Sequence, residues 1–579
     1  MTSTHRRTIG AGIAVTAVAA LVAATPALAA ESTKPAAKKS GTQTVQLLSI
    51  NDYHGNLEAL SSMTFEPEPR AALIKAGGAE NLATKLAELR EEAGDANSLT
   101  VAAGDLIGGS AFISGMFHDE PSVESLNAMG MDVSSVGNHE FDEGTEELLR
   151  MQRGGCHPVD GCYFPDEPYA GADFPWLAAN VIKKTSGQPL LPATSVQKIG
   201  KVRIGFIGMT LEATPTIVNP SGVSTVDFKD EVETANAQAE VLKRRGVDAI
   251  VVLLHEGGIN AGRYDQCVGI SDPIATMATQ FSPEIDQIIT GHTHDPYICS
   301  IPDPAGNPRL VTSSAAQGMT VTETKLVVDV ATGEVDRGLS TATNHIVPQT
   351  LADDPSQTAI IAKWNTLAGP LKSQVVGTHV EPITGDSTGD RGIETPMGDL
   401  VADAILDNTK SIGAQIGLMN VGGVRASLNA QKYGEGPGEI TYAEAFDIAP
   451  FGNVYVALDL TGAQLRTVLE QQYQPVPARG SRPMLALGVS DGFTYGWDAA
   501  QPQGSRIVPG SMMLNGSPIS DTQTVRVGTL NFLADGGDLF TAFKSGTNRV
   551  GGIGDLEGLV AYFKTHPGLT APPSRIAGL

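Results

Sequence analysis

Five short stretches hold residues that could do chemistry, and each follows an apolar run. Asn51-Asp52-Tyr53-His54 follows VQLLSI, Gly104-Asp105 follows SLTVAA, and Gly137-Asn138-His139-Glu140 follows MDVSSV. His255-Glu256 follows AIVVLL, and Gly291-His292-Thr293-His294 follows IDQIIT. Each apolar run reads as a buried strand. Each polar stretch then falls just past a strand's carboxyl end, where open α/β sheets place their sites. Asp52, His54, Asp105, Asn138, His255, His292 and His294 together are more ligands than one ion needs. They suit two divalent ions sharing a carboxylate, the arrangement that clamps both oxygens of a phosphoryl displacement.

Spacing supports this reading. Asp52 and His54 flank one residue, as do His292 and His294, so in an extended segment each pair points the same way. Asp105 offers a carboxylate that can bridge, and Asn138 is a neutral oxygen donor. The mixture of imidazole and carboxylate favours zinc or manganese, with iron or magnesium behind them. A lone histidine after a strand is more often a hydrogen-bonded loop residue, and Asp after Gly is more often a turn former. Five such stretches, all after apolar strands, weigh against that bland account.

The elements that must position these residues alternate strand and helix, as in a layered α/β fold. Helix candidates are Gly78–Ala93, Asp230–Arg245 and Pro273–Phe281. TETKLVVDVATGEV reads as a closing hairpin. Residues 350–372 read as a polar-flanked connecting helix. From 376 the texture changes to a second α/β domain without metal-type clusters. There MGDLVADAILDNTKS and TGAQLRTVLEQQY read as helices, while IGLMNVGGVR and TVRVGTLNFLADGGDLF each read as strand then Gly-rich loop. In this domain Arg425, after Gly422-Gly423-Val424, offers a bidentate fork suited to phosphate, although such a string taken alone is more often a plain turn.

With 579 residues the chain is long enough for two or three domains. Its formal charge of −25 argues against nucleic acid or an anionic membrane as partner. It does not exclude an anionic substrate, because bound metal ions reverse the field inside one cleft. Arg6-Arg7, the apolar run from Ile9 and the small residues Ala27-Leu28-Ala29 read as a cleaved export signal over 1–29. The apolar run is Ala- and Gly-rich and short for a membrane span. Residues 30–42 read as a flexible leader, and export makes the expected location extracellular. The four cysteines, Cys156, Cys162, Cys267 and Cys299, suit disulfides in an exported chain. Three pairings are possible. The short loop HPVDG favours Cys156 with Cys162, which leaves Cys267 with Cys299. No CxxC spacing supports zinc.

The order DxH, GD, GNHE, H, GHTH resembles the calcineurin-like metallophosphoesterase family. The longer strings NDYHGN and GNHEFD, with the second domain, resemble the 5′-nucleotidases of bacteria and animals over nearly all of 43–579. The resemblance implies a four-layer β-sandwich flanked by helices over 43–345, a helical linker over 346–375 and a smaller α/β substrate-binding domain over 376–579. It implies Asp52, His54, Asp105 and His294 around one metal ion, and Asp105, Asn138, His255 and His292 around the other. His139 and Asp142 match the family's catalytic dyad. Phe451 and Phe532, each readable on its own as a core aromatic, would sandwich the base. Asp538 would accept from the ribose, and Arg391, Asn420 and Arg425 would hold the phosphate or ribose side. A rotation of the second domain about the connector is implied as well.

The activity so implied is release of phosphate from nucleoside 5′-monophosphates, extending to di- and triphosphates or nucleotide sugars. A 2′,3′-cyclic-nucleotide 2′-phosphodiesterase with 3′-nucleotidase activity is the alternative within the enzyme class. A catalytically silent interaction protein is the alternative outside it, and the filled ligand and dyad positions argue against that. Oligomeric state stays open.

Overall fold

The computed structural model describes residues 41–65, 73–219, 222–429, 431–475, 478–479 and 482–579. The expected export signal and nearly all of the leader lie outside the described residues.

Two sheets face each other in the N-terminal half. In the first, Thr42–Ile50, Ser98–Ala103, Val133–Ser135 and Trp176–Leu177 run parallel in that order, and Thr320–Asp329 adds antiparallel to Thr42–Ile50. In the second, Val202–Thr210, Ala249–His255, Gln287–Thr290 and Leu310–Ser313 run parallel, with antiparallel Thr194–Ile199 and Tyr297–Ser300 at the edges. Val45, Leu47, Val101, Val133, Phe206, Val251, Leu253 and Ile289 fill the space between the sheets. Strands buried on both faces read as near-continuous apolar runs because neither face meets water. On the outer face of the first sheet lie the helices Ala79–Ala93, Glu120–Ala128 and Gly144–Arg153; Glu231–Arg244 covers the second. The four-layer expectation matches this architecture.

The helices begin where local chemistry directs. Asp230 caps Glu231–Arg244 by accepting from the Glu233 N–H at 2.7 Å. The candidate over Pro273–Phe281 is shorter than its pattern suggests, with the α-helix confined to Ile274–Met277. Beyond it the buried Arg309 donates to the carbonyls of Ala278, Phe281, Ser282 and Ile285. That distant side chain satisfies carbonyls a longer helix would have used. The hairpin strand Thr320–Asp329 also pairs with Thr341–Ile346, a third strand beyond the expected two.

The connector forms the helix Pro355–Lys372, capped by Asp354. It is fastened to the N-terminal half. Trp364 Nε1 donates to Glu124 at 2.8 Å, Ser125 Oγ to Gln357 at 2.7 Å, and Thr84 Oγ1 to the Ala352 carbonyl at 2.7 Å. Ile360, Trp364 and Ala368 join the core of that half. The helix thus packs as part of the N-terminal half.

The C-terminal half centres on a five-stranded sheet ordered Leu487–Val489, Ile416–Asn420, Thr524–Leu530, Val454–Thr461, Thr547–Gly554. Pro396–Thr409 and Asp555–Thr565 pack together on a core with Ile405, Tyr455 and Phe563, and Gly462–Glu470 packs on a second core with Leu458 and Val527. Gly462–Glu470 starts in a full capping box of Thr461 and Gln464. Disulfides join Cys156 to Cys162 and Cys267 to Cys299. Among the described residues no helix is long and apolar enough to cross a membrane.

Candidate active site

Five parallel strands end at one edge of the sandwich, and the chain turns sharply after most of them. Asp52, His54, Asp105, His292 and His294 all have positive φ, between 49° and 72°. Such conformations cost a non-glycine residue roughly 1–2 kcal/mol each and concentrate at functional sites. The turns are tied to each other: the Asp52 N–H donates to the Gly104 carbonyl at 3.0 Å and the His54 N–H to that of Asp105 at 3.1 Å. The His292 N–H meets both Asp52 oxygens at 3.0–3.1 Å, and the His139 N–H donates to Asp105 Oδ1 at 2.8 Å. Gly104 has φ +81°, and a Cβ there would lie 2.8 Å from His255 Nδ1, so the crossing excludes any side chain.

Two donor groups result. Asp52, His54 and His294 offer ligand atoms within 4.8 Å of one another, as do Asp105, His255 and His292. Asp105 faces both, with Oδ2 at 2.9 Å from His255 Nε2 and 3.8 Å from His54 Nε2. Asn138 Oδ1 lies 3.0 Å from His292 Nδ1. The ring nitrogens are oriented from behind. His255 Nδ1 donates to the Ala103 carbonyl and His54 Nδ1 to the Gly108 carbonyl, each at 2.7 Å. Both Nε2 atoms are thereby turned into the site, as second contacts do for metal-binding histidines. There His54 Nε2 lies 3.2 Å from His294 Nε2, and the buried His255 Nε2 makes no well-formed hydrogen bond.

Burial pushes the His54 imidazole down to about 3 and lowers His292 and His294 too, which keeps them neutral with a lone pair to give. Burial acts the same way on His255, but the Asp105 and Asp52 charges outweigh it and carry it up to about 10. Burial would raise Asp105, yet His255, His139 and His54 hold it well below the carboxylate range. The neutral nitrogens of His54, His292 and His294, the ionised carboxylates of Asp52 and Asp105, and a His255 whose proton a cation would displace form a donor set that fits divalent cations.

His139 Nδ1 and Asp142 Oδ2 are 2.7 Å apart in the turn after Asn138. Burial opposes charge on His139, but Asp142 and then Asp105 prevail and its pKa rises. Above this floor lies a cavity of about 830 Å³ lined by both halves. The N-terminal wall includes Asp105, Asn138, His139, Asp142, His292 and His294. The other wall includes Arg391, Asn420, Arg425, Phe451, Phe532 and Asp538, so the two sets of expected residues meet across one space. Asp52, His54 and His255 lie buried.

Arg391 is held by Nε donating to the Ser387 carbonyl at 2.7 Å. Asn420 Nδ2 donates to Asp538 Oδ2 at 2.7 Å, leaving its buried Oδ1 without a partner. The Phe532 ring packs on Gly537, where a Cβ would come within 2.4 Å of it. Phe451 stacks on His139, and the Arg425 guanidinium lies 5.6 Å from the Phe451 ring centroid.

Some contributors carry no role in the sequence reading. Glu140, buried, accepts from the N–H groups of Asp105 at 3.0 Å and Leu106 at 2.8 Å, joining two of the turns. Its place inside GNHE is the only local hint. Arg479 and Arg482 also line the cavity, giving its C-terminal wall four arginines. Their segment has no motif to announce them.

Residues 46–296 match the model of the calcineurin-like phosphoesterase family, and residues 375–545 match that of the 5′-nucleotidase C-terminal domain. Endonuclease YhcR of Bacillus subtilis is 32% identical over 523 residues, which cover 90% of this chain and 40% of that protein. The cell wall protein Lmo0130 of Listeria monocytogenes is 30% identical over 551 residues, covering 90% of this chain and 67% of that one. This chain thus spans well under half the length of the Bacillus relative. The crystal structure of a 5′-nucleotidase precursor from Thermus thermophilus superposes with a TM-score of 0.74 at 26% identity, covering 92% of this chain and 99% of that one.

Proposed function

The chain belongs to the calcineurin-like phosphoesterases that carry a 5′-nucleotidase C-terminal domain, and on that premise we propose that it is an exported phosphohydrolase of nucleoside 5′-monophosphates working with two divalent ions. One observation carries the reading: the paired donor groups around Asp105 open into the same cavity as the arginines and aromatics of the C-terminal half. Asp52, His54, Asp105 and His294 would hold one ion, and Asp105, Asn138, His255 and His292 the other, with zinc or manganese the best match to the donors. The chemistry the ions supply when bound is polarisation of the phosphoryl oxygens and a nucleophile at neutral pH.

The chain's own groups do the rest. The Nδ1–H of His139, held by Asp142, leaves Nε2 to donate to the oxygen on which charge develops as the ester bond breaks. Arg425 and Arg391 bring fixed positive charge to the phosphate side. Phe451 and Phe532 offer faces for the base, and Asn420 with Asp538 offers polar contacts to the ribose. The four arginines lining the cavity explain how a chain of net charge −25 admits an anion.

A substrate panel tests this reading. AMP, UDP-glucose, 2′,3′-cyclic AMP and bis(p-nitrophenyl) phosphate are supplied to the full chain with and without Mn²⁺ or Zn²⁺. AMP should be the best substrate and metal should be required. Preference for the cyclic nucleotide would shift the reading to a phosphodiesterase, and no turnover of any member would contradict it.

A further inference from the structure

A second cluster of metal-type donors lies beside the catalytic turn. His118, Glu143, Glu147 and His157 each place one ligand atom within 4.8 Å of the others. They come from three segments: the turn after Phe112–Gly115, the start of helix Gly144–Arg153, and the loop closed by Cys156–Cys162. Glu143 and Glu147 stand four residues apart at the helix start, a spacing that puts both carboxylates on one face. The disulfide and the paired backbone of His157 and Gly161, with N–H···O distances of 3.0–3.1 Å both ways, fix the third segment. The His118 and His157 rings stack at 3.7 Å, and Asp160 Oδ2 lies 2.8 Å from His118 Nε2 and 3.5 Å from His157 Nδ1.

We propose that His118, Glu143, Glu147 and His157 form a third metal site, for a divalent ion of the zinc class, with Asp160 at its rim. Two imidazoles with two carboxylates is a donor set that zinc takes in tetrahedral sites. The charges agree. Arg150 is the guanidinium here, paired with Glu120 and Glu147, while Glu143 and Asp160 lean on the His118 ring. Four carboxylates thus share that guanidinium and the His118 ring, and an ion would take the place of the proton His118 holds between Glu143 and Asp160. The site is also reachable: Glu143 is 44% exposed and Asp160 51%, and His118, Glu143 and Glu147 line the main cavity. An ion there would fasten the disulfide loop to the turn that carries the dyad, since Glu143 follows Asp142 directly.

The test is zinc stoichiometry on the full chain, by equilibrium dialysis and elemental analysis. The wild type should bind three ions, and the His118→Ala/His157→Ala variant two. Asp52→Asn/Asp105→Asn, which removes only the central donors, should keep one high-affinity ion. In that background Zn²⁺ should raise the melting temperature, and Glu143→Gln should weaken the remaining ion about tenfold or more, as losing a ligand does. Equal zinc content in the wild type and the His118/His157 variant, or none in the Asp52/Asp105 variant, would overturn the third site. Loss of the wild-type count to one ion, removed with His118 and His157, would instead sink the central pair and leave the third site standing.

Discussion

The ring of Phe451 lies parallel to the imidazole of His139, with 5.6 Å between centroids and 10° between planes. The two residues belong to opposite halves of the chain, so the stack joins the proposed base clamp to the proposed dyad. That spacing leaves no room for a nucleobase between them. The face of Phe451 turned to His139 is therefore closed to a base while the stack holds, and the Phe532 ring rests on Gly537.

The two phenylalanines should therefore separate in kinetics. Stacking on an aromatic is worth roughly 1–3 kcal/mol per base. Phe532→Ala should lower kcat/KM for AMP by about ten- to a hundredfold and leave p-nitrophenyl phosphate almost unchanged. Phe451→Ala should lower AMP turnover similarly and also shift p-nitrophenyl phosphate by a few-fold, through its contact with His139. Equal losses on both substrates in both variants would make the phenylalanines core residues.

His139→Asn should cost on the order of 10²–10⁴ in kcat, the range for losing a proton-donating or charge-stabilising group. Metal content should not change, because the N–H that meets Asp105 belongs to the backbone. Unchanged turnover would make His139 structural.

Glu140→Gln should act on metal affinity more than on chemistry. Its carboxylate gathers the N–H groups of Asp105 and Leu106, and an amide can present only one acceptor oxygen to such donors. Metal affinity should fall by about 10–100-fold, the usual effect of disturbing the groups behind a ligand. Activity should recover in excess metal. Failure to recover would place Glu140 in the chemistry itself.

Asp399, on the helix Pro396–Thr409 of the C-terminal half, gives a pH test outside the proposed metal centre. Burial pushes its carboxyl up to about 8 from 3.8, against the Val489 N–H it accepts and with the help of Glu394. Between those values the folded chain keeps a proton that the unfolded chain releases. Its stabilising contribution is therefore full below pH 3.8 and lost as pH rises through 8. Asp399→Asn keeps the acceptor oxygen and cannot ionise. Its melting temperature should exceed the wild type's by on the order of 2 °C at pH 8 and match it at pH 4. A deficit at both values would contradict the assignment.

Much of the catalytic edge is legible from sequence because strand ends are local signals: each apolar run predicts where Asp52, Asp105, Asn138, His255 and His292 emerge. What is not legible depends on distance. The Arg309 side chain that ends the helix after Met277 lies 31 residues from the Ala278 carbonyl it contacts. The contact of Phe451 with His139 depends on how two halves sit together, which no local pattern encodes. His118 and His157 belong to segments that share no motif, so their meeting with Glu143 and Glu147 emerges only in the fold. The reading of 350–372 finds a helix, but its fastening to Glu124 and Ser125 is a packing fact that no spacing reveals.

Anomalous diffraction at the metal absorption edge, from crystals grown with Zn²⁺ or Mn²⁺, tests the central claim most directly. The account predicts two adjacent peaks at the strand ends, one among Asp52, His54 and His294, the other among Asn138, His255 and His292, with Asp105 between them. A single peak there, or none while ions bind elsewhere on the chain, would contradict a two-ion phosphohydrolase centre.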